Sequence, residues 1–496
     1  MWLLLLCLVV GLFFYYLPKY NAWVARFPPG PPVKPFIGNM LNYKAAHMAD
    51  SNAKWGKDFD GLFTVFVPLP IIMIHDYETV REAYVDNGNA FSGRIYRRAL
   101  EALIYEKDTG VLNSNGDVWR EERRKALTIM RDLGMGKNVM EEIVRDSLRE
   151  FVDHVDSLPN HENVDLRWPI QIMVSNVINE VLFARKFAYD NCEELMNFVT
   201  LMKKNFDEIS FSPLFMLAVA FPFIIDLPWL GYRAVGRHKE NTMKMMKFVV
   251  NTVDSVLAEQ PLETEADEHR CFVHAYAHKM GDQIEKKQLY ATCADFFMAG
   301  QETTTTVLRW AVLFLAKFQD SQKRLRDEVH SVVGTERLPS MTDKNQLPYA
   351  HSYMLEVLRF ANILQANIMR VTTEDTVIKG HRISAGSAVN GDIHYIMSKD
   401  PHFEQPEKFM PERFLAEGGQ SLKKELVDRV VAFSIGKRSC AGEALARVEL
   451  FLALTTLAQQ YEIHPVEGQE IDLTPTQTFV QFPKEQNVKL VKVNRS

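Results

Sequence analysis

The chain contains long stretches in which apolar residues recur at helical spacing. In residues 286–318, apolar side chains recur at steps of three and four, interrupted by a polar cluster at residues 299–306, which predicts a long amphipathic helix. Residues 441–461 are rich in Ala and Leu, two strong helix formers. The body has no long Gly/Ser or Pro tract, fixed-period repeat or low-complexity block. This pattern predicts one large, mostly helical domain over residues 36–496.

An uncharged apolar run occupies residues 1–17. It lies near the lower end of the roughly 17 to 25 residues that cross a bilayer as a helix. A cleaved secretory signal is the alternative, but no Lys or Arg precedes the run and no A-x-A-like site follows it. Lys19, Arg26 and Lys34 follow instead, which by the positive-inside rule places the body in the cytosol. We expect a transmembrane anchor.

Residues 18–35 form a basic, proline-rich hinge that contains FPPGPP at residues 27–32. Because proline fixes φ and lacks an N–H donor, this segment should be an extended, stiff spacer between anchor and body. An ordinary connecting loop is the alternative.

Charge and cysteine content exclude some function classes. A net charge of -6 over 496 residues argues against a nucleic-acid binder, which is normally basic. The five cysteines are widely spaced and contain no CxxC pair. This spacing indicates a reducing compartment rather than a disulfide framework.

Cys440 lies in FSIGKRSCAG, residues 433–442, directly before the Ala- and Leu-rich stretch. The unpaired N–H groups and the dipole at a helix start favour an anion. Lys437 and Arg438 should act in the same direction, so that the thiolate is favoured and the sulfur can bind a metal.

The other residues of this loop suit a ligand site. Gly436 allows a tight turn, Gly442 allows a flat group to approach the helix, and Phe433 could screen the sulfur from water. A buried free cysteine is the alternative for Cys440, but the combined pattern favours the ligand.

Glu302 and Thr303 lie in the polar cluster AGQETTTT of the predicted long helix. Because apolar residues flank the cluster on both sides, this acid and alcohol should lie inside the protein, where they could pass protons to a bound group. The threonine run should also distort the helix locally. A plain solvated helix face is the alternative.

Two further constellations involve charged or metal-ligating residues. Glu356 and Arg359 are three apart in MLEVLRF, and Arg413 in FMPERF could complete a buried, hydrogen-bonded set.

Cys271, His274 and His278 are spaced as metal ligands could be, but no closing ligand follows at a suitable distance.

FSIGKRSCAG resembles the haem-binding loop of the cytochrome P-450 superfamily. AGQETT resembles its oxygen-activation helix motif, EVLR its ExxR motif and FMPERF its arginine loop, in the family's order. The resemblance covers the whole chain and is greatest to the microsomal, membrane-anchored group that metabolises foreign compounds, fatty acids and steroids. It implies a mainly α fold with small β-sheets (α+β), in which haem lies between two long helices.

The resemblance also implies roles for these residues. Cys440 would be the axial ligand of the iron in haem b (iron protoporphyrin IX). Glu302 and Thr303 would deliver protons during dioxygen activation. The structural triad would be Glu356, Arg359 and Arg413.

Contacts to the haem propionates are implied for Trp119 and Arg123 in DVWREERRKA and for Arg438. After the ExxR helix the chain reads FANILQANIMRVTT, without the family's usual prolines. Met369 occupies the usual place of a His and Arg370 is adjacent. Arg370 is the candidate cofactor contact, although which of the two faces the haem is open.

The implied activity is a haem-thiolate monooxygenase at the endoplasmic reticulum membrane that hydroxylates or epoxidises lipophilic substrates. The chain has no Gly-rich dinucleotide fingerprint, so electrons from NADPH would come through NADPH–cytochrome P-450 reductase, with cytochrome b5 as a second candidate donor. Basic residues would steer such an acidic donor: Arg120, Arg123, Arg124, Lys125, Arg131 and Lys137.

Two alternatives are a reductase-independent haem-thiolate isomerase or dehydratase and a non-catalytic haem-binding membrane protein. The presence of Glu302 and Thr303 argues against the first, and an intact thiolate loop together with this pair argues against the second.

The resemblance also indicates the segments that would line the substrate pocket: residues 95–112, 206–215, 291–303, 362–369 and 477–482. They are mostly apolar, which fits fatty acids, steroids and drug-like molecules equally. Residues 211–230 are apolar but interrupted by prolines, and either dip into the bilayer or pack in the core.

Overall fold

The computed structural model describes residues 2–35, 37–43, 48–135, 138–210, 212–259, 271–364, 366–476 and 480–493. The helices described are α1 (Trp2–Val24), α2 (Met48–Asp58), α3 (Tyr77–Arg81), α4 (Gly116–Asp132), α5 (Asn138–Asp156), α6 (Arg167–Phe183), α7 (Glu193–Ser210), α8 (Pro213–Ala220), α9 (Pro228–Gly231), α10 (Arg237–Glu259), α11 (Phe272–Met280), α12 (Lys286–Lys317), α13 (Gln319–Val333), α14 (Pro348–Ala361), α15 (Ile393–Lys399), α16 (Lys424–Asp428) and α17 (Glu443–Gln460).

The strands are short: β1 (Leu62–Phe66), β2 (Pro70–Ile74), β3 (Gly93–Arg94), β4 (Arg370–Val371), β5 (Thr376–Ile378), β6 (His381–Ile383), β7 (Ala388–Gly391), β8 (Tyr461–Pro465) and β9 (Val488–Lys492). The prediction of a mainly α fold with small β-sheets is therefore confirmed.

The chain divides into two compact units. A sheet unit comprises Met1–Tyr96, Leu364–Pro401 and Ser434–Ser439, and a helical unit comprises Arg97–Ile363, His402–Phe433 and Cys440–Ser496. The single domain over residues 36–496 stays a prediction.

The sheet unit contains a five-stranded sheet in the order β1-β2-β7-β4-β3. Strands β1 and β2 are antiparallel, β2 and β7 are parallel, and the other pairs are antiparallel. All five residues of β1 are buried, so this strand has a core on both faces. Strands β5 and β6 form a separate hairpin whose turn residues, Lys379 and Gly380, both have positive φ, as two-residue hairpin turns require.

The proline-rich segment packs along β1. Pro29 accepts a hydrogen bond from the backbone N–H of Thr64 at 3.1 Å, and a Cβ at Gly30 would lie 2.1 Å from the Thr64 carbonyl oxygen. Before it, α1 continues through Pro18 to Val24, and the Trp23 ring lies 5.4 Å from the ring of Phe66. No helix within the described part of the chain is both long and apolar enough to span a membrane.

The helical unit is built around α12, which packs against α6 and α17. The predicted distortion of α12 is wrong, because the helix is unbroken through the threonine run. Thr303 and Thr306 each donate a side-chain hydrogen bond to the carbonyl four residues earlier, at 2.7 Å, so the helix itself satisfies their hydroxyl groups.

Prolines divide residues 211–230 into short helices. Residue 211 itself lies outside the described residues. The elements α8, Pro222–Asp226 and α9 each begin with a proline, the position at which its missing N–H costs least. Phe215 is buried in a cluster of apolar side chains, whereas Phe223 and Trp229 are 63% and 66% exposed. The segment therefore combines packing in the unit with an exposed apolar tip.

Candidate functional site

Cys440 lies at the start of α17 in the helical unit. Its backbone N–H donates to the Phe433 carbonyl at 2.9 Å, and Gly442 is the N-cap residue of the helix. The Cys440 residue is exposed. A Cβ at Gly442 would meet only the Cys440 sulfur, at 4.0 Å, so the space over this turn is open. Cys440 is therefore not a buried structural thiol.

The pKa of the Cys440 thiol reflects opposing influences. Loss of bulk water around the sulfur raises the pKa and the Glu443 carboxylate raises it further, whereas the backbone N–H groups of Gly442 and Glu443 and the charge of Arg123 lower it. The net pKa is above the ordinary value for cysteine. In the free protein, therefore, the N–H groups at the helix start do not outweigh the loss of water around the sulfur, and the thiolate as a metal ligand stays a prediction.

The two cations next to Cys440 in sequence have other partners, within the sheet unit. Lys437 Nζ donates to the side chain of Asn89, and Arg438 Nε donates to the Ser92 carbonyl at 2.7 Å. Arg123, which is distant in sequence, is a cation whose charge acts on the thiol.

Helix α4 carries Trp119 and Arg123 one turn apart. Trp119 is buried, and desolvation lowers the pKa of Arg123 while the nearby Cys440 raises it. Glu122, between them, is not among the residues predicted from the sequence. This buried carboxylate accepts hydrogen bonds from Lys125 at 3.0 Å, from the Tyr276 hydroxyl at 3.2 Å and from the Thr292 hydroxyl at 2.8 Å, which fixes α4 against α11 and α12. The sequence signal that could have identified Glu122 is an acid within an otherwise basic run.

The basic run on α4 is partly neutralised. Arg120 pairs with Asp117 at 2.6 Å and Lys125 pairs with Glu122 at 3.0 Å. Arg124 and Arg131 are exposed, and Lys137 lies outside the described residues. Exposed cations therefore remain on this helix.

The acid of the Glu302 and Thr303 pair lies in a desolvated position. Glu302 Oε2 is buried and has no hydrogen-bond partner among the residues that the structure describes. Burial raises the pKa of Glu302, while the charges of Arg309 and Lys203 lower it and that of Asp207 raises it. A carboxyl with a raised pKa and an unoccupied oxygen is suited to proton transfer, so the solvated-face interpretation is wrong for Glu302.

The structure brings Glu356, Arg359 and Arg413 together. Arg359 donates to Glu356 through Nε at 2.7 Å and Nη2 at 2.8 Å, and Arg413 Nε lies 3.1 Å from Oε2. The backbone N–H of Met410 adds a bond at 2.8 Å. All three charged side chains are buried. Because both carboxylate oxygens are bonded, the buried charges are compensated.

Two further predicted contacts lie in the sheet unit. Arg370 is buried, stacks 3.5 Å from the centroid of the Tyr84 ring, and donates through Nη2 to Ser434 Oγ at 3.0 Å and to the Ile435 carbonyl at 2.8 Å. Gly436 has φ +76, and a Cβ there would lie 1.7 Å from the Tyr84 carbonyl oxygen. The tight turn at this position therefore requires glycine.

The Cys–His spacing at residues 271–278 does not form a metal site. Cys271 Sγ lies 3.4 Å from His274 Nδ1, and burial raises the pKa of this thiol to about 11. Across the described residues, no group of three His, Cys, Asp or Glu side chains could hold a metal ion.

The residues around Cys440 fit a haem group. The thiol is exposed next to open space over Gly442, its sulfur accepts two N–H groups, and Arg123 supplies a positive charge. A family model described as Cytochrome P450 matches residues 28–490. The chain belongs to the cytochrome P450 family.

Individual relatives agree with this assignment. Cytochrome P450 2C3 of Oryctolagus cuniculus is 31% identical over 94% of this chain and 94% of its own length. Cytochrome P450 2H2 of Gallus gallus is 32% identical over 91% and 90%, and cytochrome P450 2C8 of Homo sapiens is 31% identical over 94% and 93%. The protein is accordingly a haem-binding oxidoreductase of the cytochrome P450 monooxygenase type, with iron protoporphyrin IX as its cofactor.

Proposed function

We propose that the protein hydroxylates or epoxidises lipophilic substrates, such as fatty acids, steroids or foreign compounds, with electrons that NADPH–cytochrome P450 reductase delivers. Cytochrome b5 is a second candidate donor. The observation that carries the proposal is the exposed Cys440 thiol, which lies under two backbone N–H groups and near Arg123. Exposed cations on α4 would attract an acidic donor.

In this proposal Cys440 binds the haem iron as a thiolate. Metal binding selects the deprotonated sulfur even though the free thiol has a raised pKa, because the metal charge replaces the missing stabilisation. Trp119, Arg123, Arg370 and Arg438 would contact the cofactor edge, where the planar arginine fork suits a propionate. When bound, haem supplies the activation of dioxygen.

Glu302 and Thr303 would move protons during the reaction. The raised pKa of Glu302 lets its carboxyl take up a proton near neutral pH more readily than in water. The Thr303 hydroxyl donates to the Ala299 carbonyl within the helix, which leaves its oxygen free to accept a hydrogen bond from a neighbouring proton donor.

The proposed location is the endoplasmic reticulum membrane, with residues 1–17 as anchor and the body in the cytosol. The apolar run and the cations that follow it support this orientation. The exposed Phe223 and Trp229 would add a second contact with the bilayer.

The absorption difference spectrum of the reduced, carbon-monoxide-bound protein tests the ligand. We expect a thiolate-type band that Cys440→Ser abolishes and that Cys271→Ser retains; Cys271, the N-cap residue of α11, is the matched control. Persistence of the band in Cys440→Ser would refute the assignment.

Coupling of NADPH consumption to product, measured with the reductase over a lipid panel, tests the proton path. We expect Thr303→Ala to release more hydrogen peroxide per NADPH consumed. The control is Thr306→Ala, which removes a hydroxyl with the same bond to the carbonyl four residues earlier. Equal coupling in both variants would remove Thr303 from the path.

A further inference from the structure

Glu122 on α4 is a buried carboxylate that has no part in the proposed reaction steps. The residue is only 2% exposed. Its Oε1 accepts the Thr292 hydroxyl at 2.8 Å, and its Oε2 accepts Lys125 Nζ at 3.0 Å and the Tyr276 hydroxyl at 3.2 Å. Both oxygens are therefore bonded, as a buried charge requires.

These bonds join three helices of the helical unit. Thr292 lies on α12 and Tyr276 lies on α11, and both are buried. Lys125 Nζ also lies 3.4 Å from the Tyr276 hydroxyl and 5.1 Å from the centroid of its ring, so the ammonium group closes the network between α4 and α11. Hydrogen bonds to a charged group are stronger than neutral ones, above all away from water. The network therefore restrains the position and rotation of α4.

The two residues proposed to contact the cofactor lie on the same turn of α4 as Glu122. Trp119 is three residues before Glu122 and shares its buried face, and Arg123 follows Glu122 directly. The charge of Arg123 lowers the pKa of the Cys440 thiol. A shift or rotation of α4 would move Trp119 and Arg123 together, because one turn of a helix moves as a unit.

We propose that Glu122 is a positioning residue for the haem: through Thr292 and Tyr276 it holds α4 where Trp119 and Arg123 reach the cofactor edge. The inference rests on the proposed function, which includes those two contacts. Glu122 acts through its neighbours, since both of its oxygens are bonded to other side chains. Outer groups that orient the residues around a metal cofactor typically change its affinity when they are lost.

Transfer of haem to an excess of apomyoglobin measures how fast the full-length, haem-loaded protein releases its cofactor. We expect Glu122→Leu, which offers no acceptor to Thr292 or Tyr276, to release haem roughly tenfold faster. Glu122→Gln keeps the length and one acceptor oxygen, so its rate should lie between those of Glu122→Leu and the unaltered protein. The matched control is Glu121→Leu, which removes an equal charge from the adjacent, exposed position and should leave the rate unchanged.

A double-mutant cycle tests whether the effect passes through α12. Thr292→Val removes the partner on α12 without altering α4. If Glu122 acts through Thr292, the double variant should release haem no faster than Glu122→Leu alone, whereas independent effects would multiply. Should Glu122→Leu fail to fold with haem, Thr292→Val carries the test by itself, with faster release expected.

The midpoint reduction potential distinguishes positioning from a general loss of stability. Reduced iron carries one positive charge fewer than oxidised iron, so it depends more on nearby cations. A displaced Arg123 should therefore make the potential more negative in Glu122→Leu and in Thr292→Val. A merely less stable protein would keep the potential of the unaltered protein in the fraction that still binds haem.

Three results would overturn the inference: unchanged haem release in Glu122→Leu and Thr292→Val, equal effects of Glu122→Leu and Glu121→Leu, or an unchanged potential in both anchor variants. Arg123→Gln tests the contact on which the inference rests. If it speeds haem release and Glu122→Leu does not, the contact stands and the positioning role fails. Neither measurement uses the reductase or a substrate, so a lack of turnover with a lipid panel would refute the proposed function and leave this inference standing.

Discussion

The contact between Asp295 on α12 and the loop at residues 110–112 can be tested through its dependence on pH. Asp295 Oδ2 accepts the backbone N–H groups of Val111 at 2.7 Å and Leu112 at 2.9 Å. Burial raises the pKa of Asp295 to about 6, the charge of Glu122 also raises it, and the two N–H groups lower it. An aspartate in water has a pKa of about 4, so the difference between the two pKa values corresponds to about 3 kcal/mol of free energy that favours the closed loop when Asp295 is protonated.

The sign follows from proton linkage. Between about pH 4 and pH 6 the closed loop keeps a proton on Asp295 that the opened, hydrated state has lost, so increasing pH favours opening. Above about pH 6 Asp295 is ionised in both states, and the stability that the bound proton gave to the closed loop is fully lost. The loop should therefore be held least firmly at neutral pH.

Hydrogen–deuterium exchange of the peptide at residues 108–114 measures this opening. After correction for the intrinsic effect of pH, protection should fall roughly 20-fold between about pH 4.5 and about pH 7.5. Asp295→Asn keeps an acceptor oxygen but cannot ionise, so its protection should not change with pH. A pH-independent wild-type loop, or the same pH dependence in Asp295→Asn, would refute the reasoning.

Gly110 provides a steric check on the same contact. A Cβ at Gly110 would lie 2.2 Å from Asp295 Oδ2, and φ there is +72. Gly116 also has positive φ, +57, but open space around its Cβ position. Protection of residues 108–114 should therefore decrease more in Gly110→Ala than in Gly116→Ala, which carries only the backbone strain.

Three further predictions concern stability, measured by denaturant unfolding of the full chain. Glu356→Gln leaves two buried arginines without their counter-charge and should lower the free energy of unfolding by about 3–5 kcal/mol. The exposed control Asp327→Asn should change it little. Equal effects of the two variants would contradict the triad's structural role. Glu449, buried on α17 with a pKa well above the usual range, should tolerate Gln with a change below about 1 kcal/mol, whereas a loss of several kcal/mol would indicate an ionised group. Gly30→Ala places a Cβ 2.1 Å from a carbonyl oxygen of β1 and should destabilise the sheet unit. Gly11→Ala, at an open position, should not. Similar unfolding curves for the two variants would show that the proline-rich segment does not dock against β1.

Local sequence was sufficient for the features that depend on short spacing. The helix of residues 286–318 was predicted within one residue of its C-terminal end, because a 3.6-residue period records which side of a helix is apolar. The Glu356 and Arg359 pair followed from a separation of three residues on a helix, and the turn at Gly436 followed from glycine's access to positive φ.

Sequence proximity failed where loop side chains diverge. Lys437 and Arg438 are three and two residues from Cys440, yet Lys437 bonds to Asn89 and Arg438 bonds to Ser92, while Arg123 acts on the thiol. In an irregular loop, successive side chains point in different directions, so adjacency in sequence carries little information about electrostatic partners.

By itself, the sequence determined the helical framework, the order of the motifs and the thiol at the start of a helix, because each depends on local periodicity or spacing. Only the tertiary structure decided which distant groups meet: Asp295 with the loop at residues 110–112, and Glu122 of α4 with the hydroxyl groups of Tyr276 on α11 and Thr292 on α12. Electrostatic and desolvation energies depend on distances between groups that are far apart in the chain, and those distances exist only once the helices have packed.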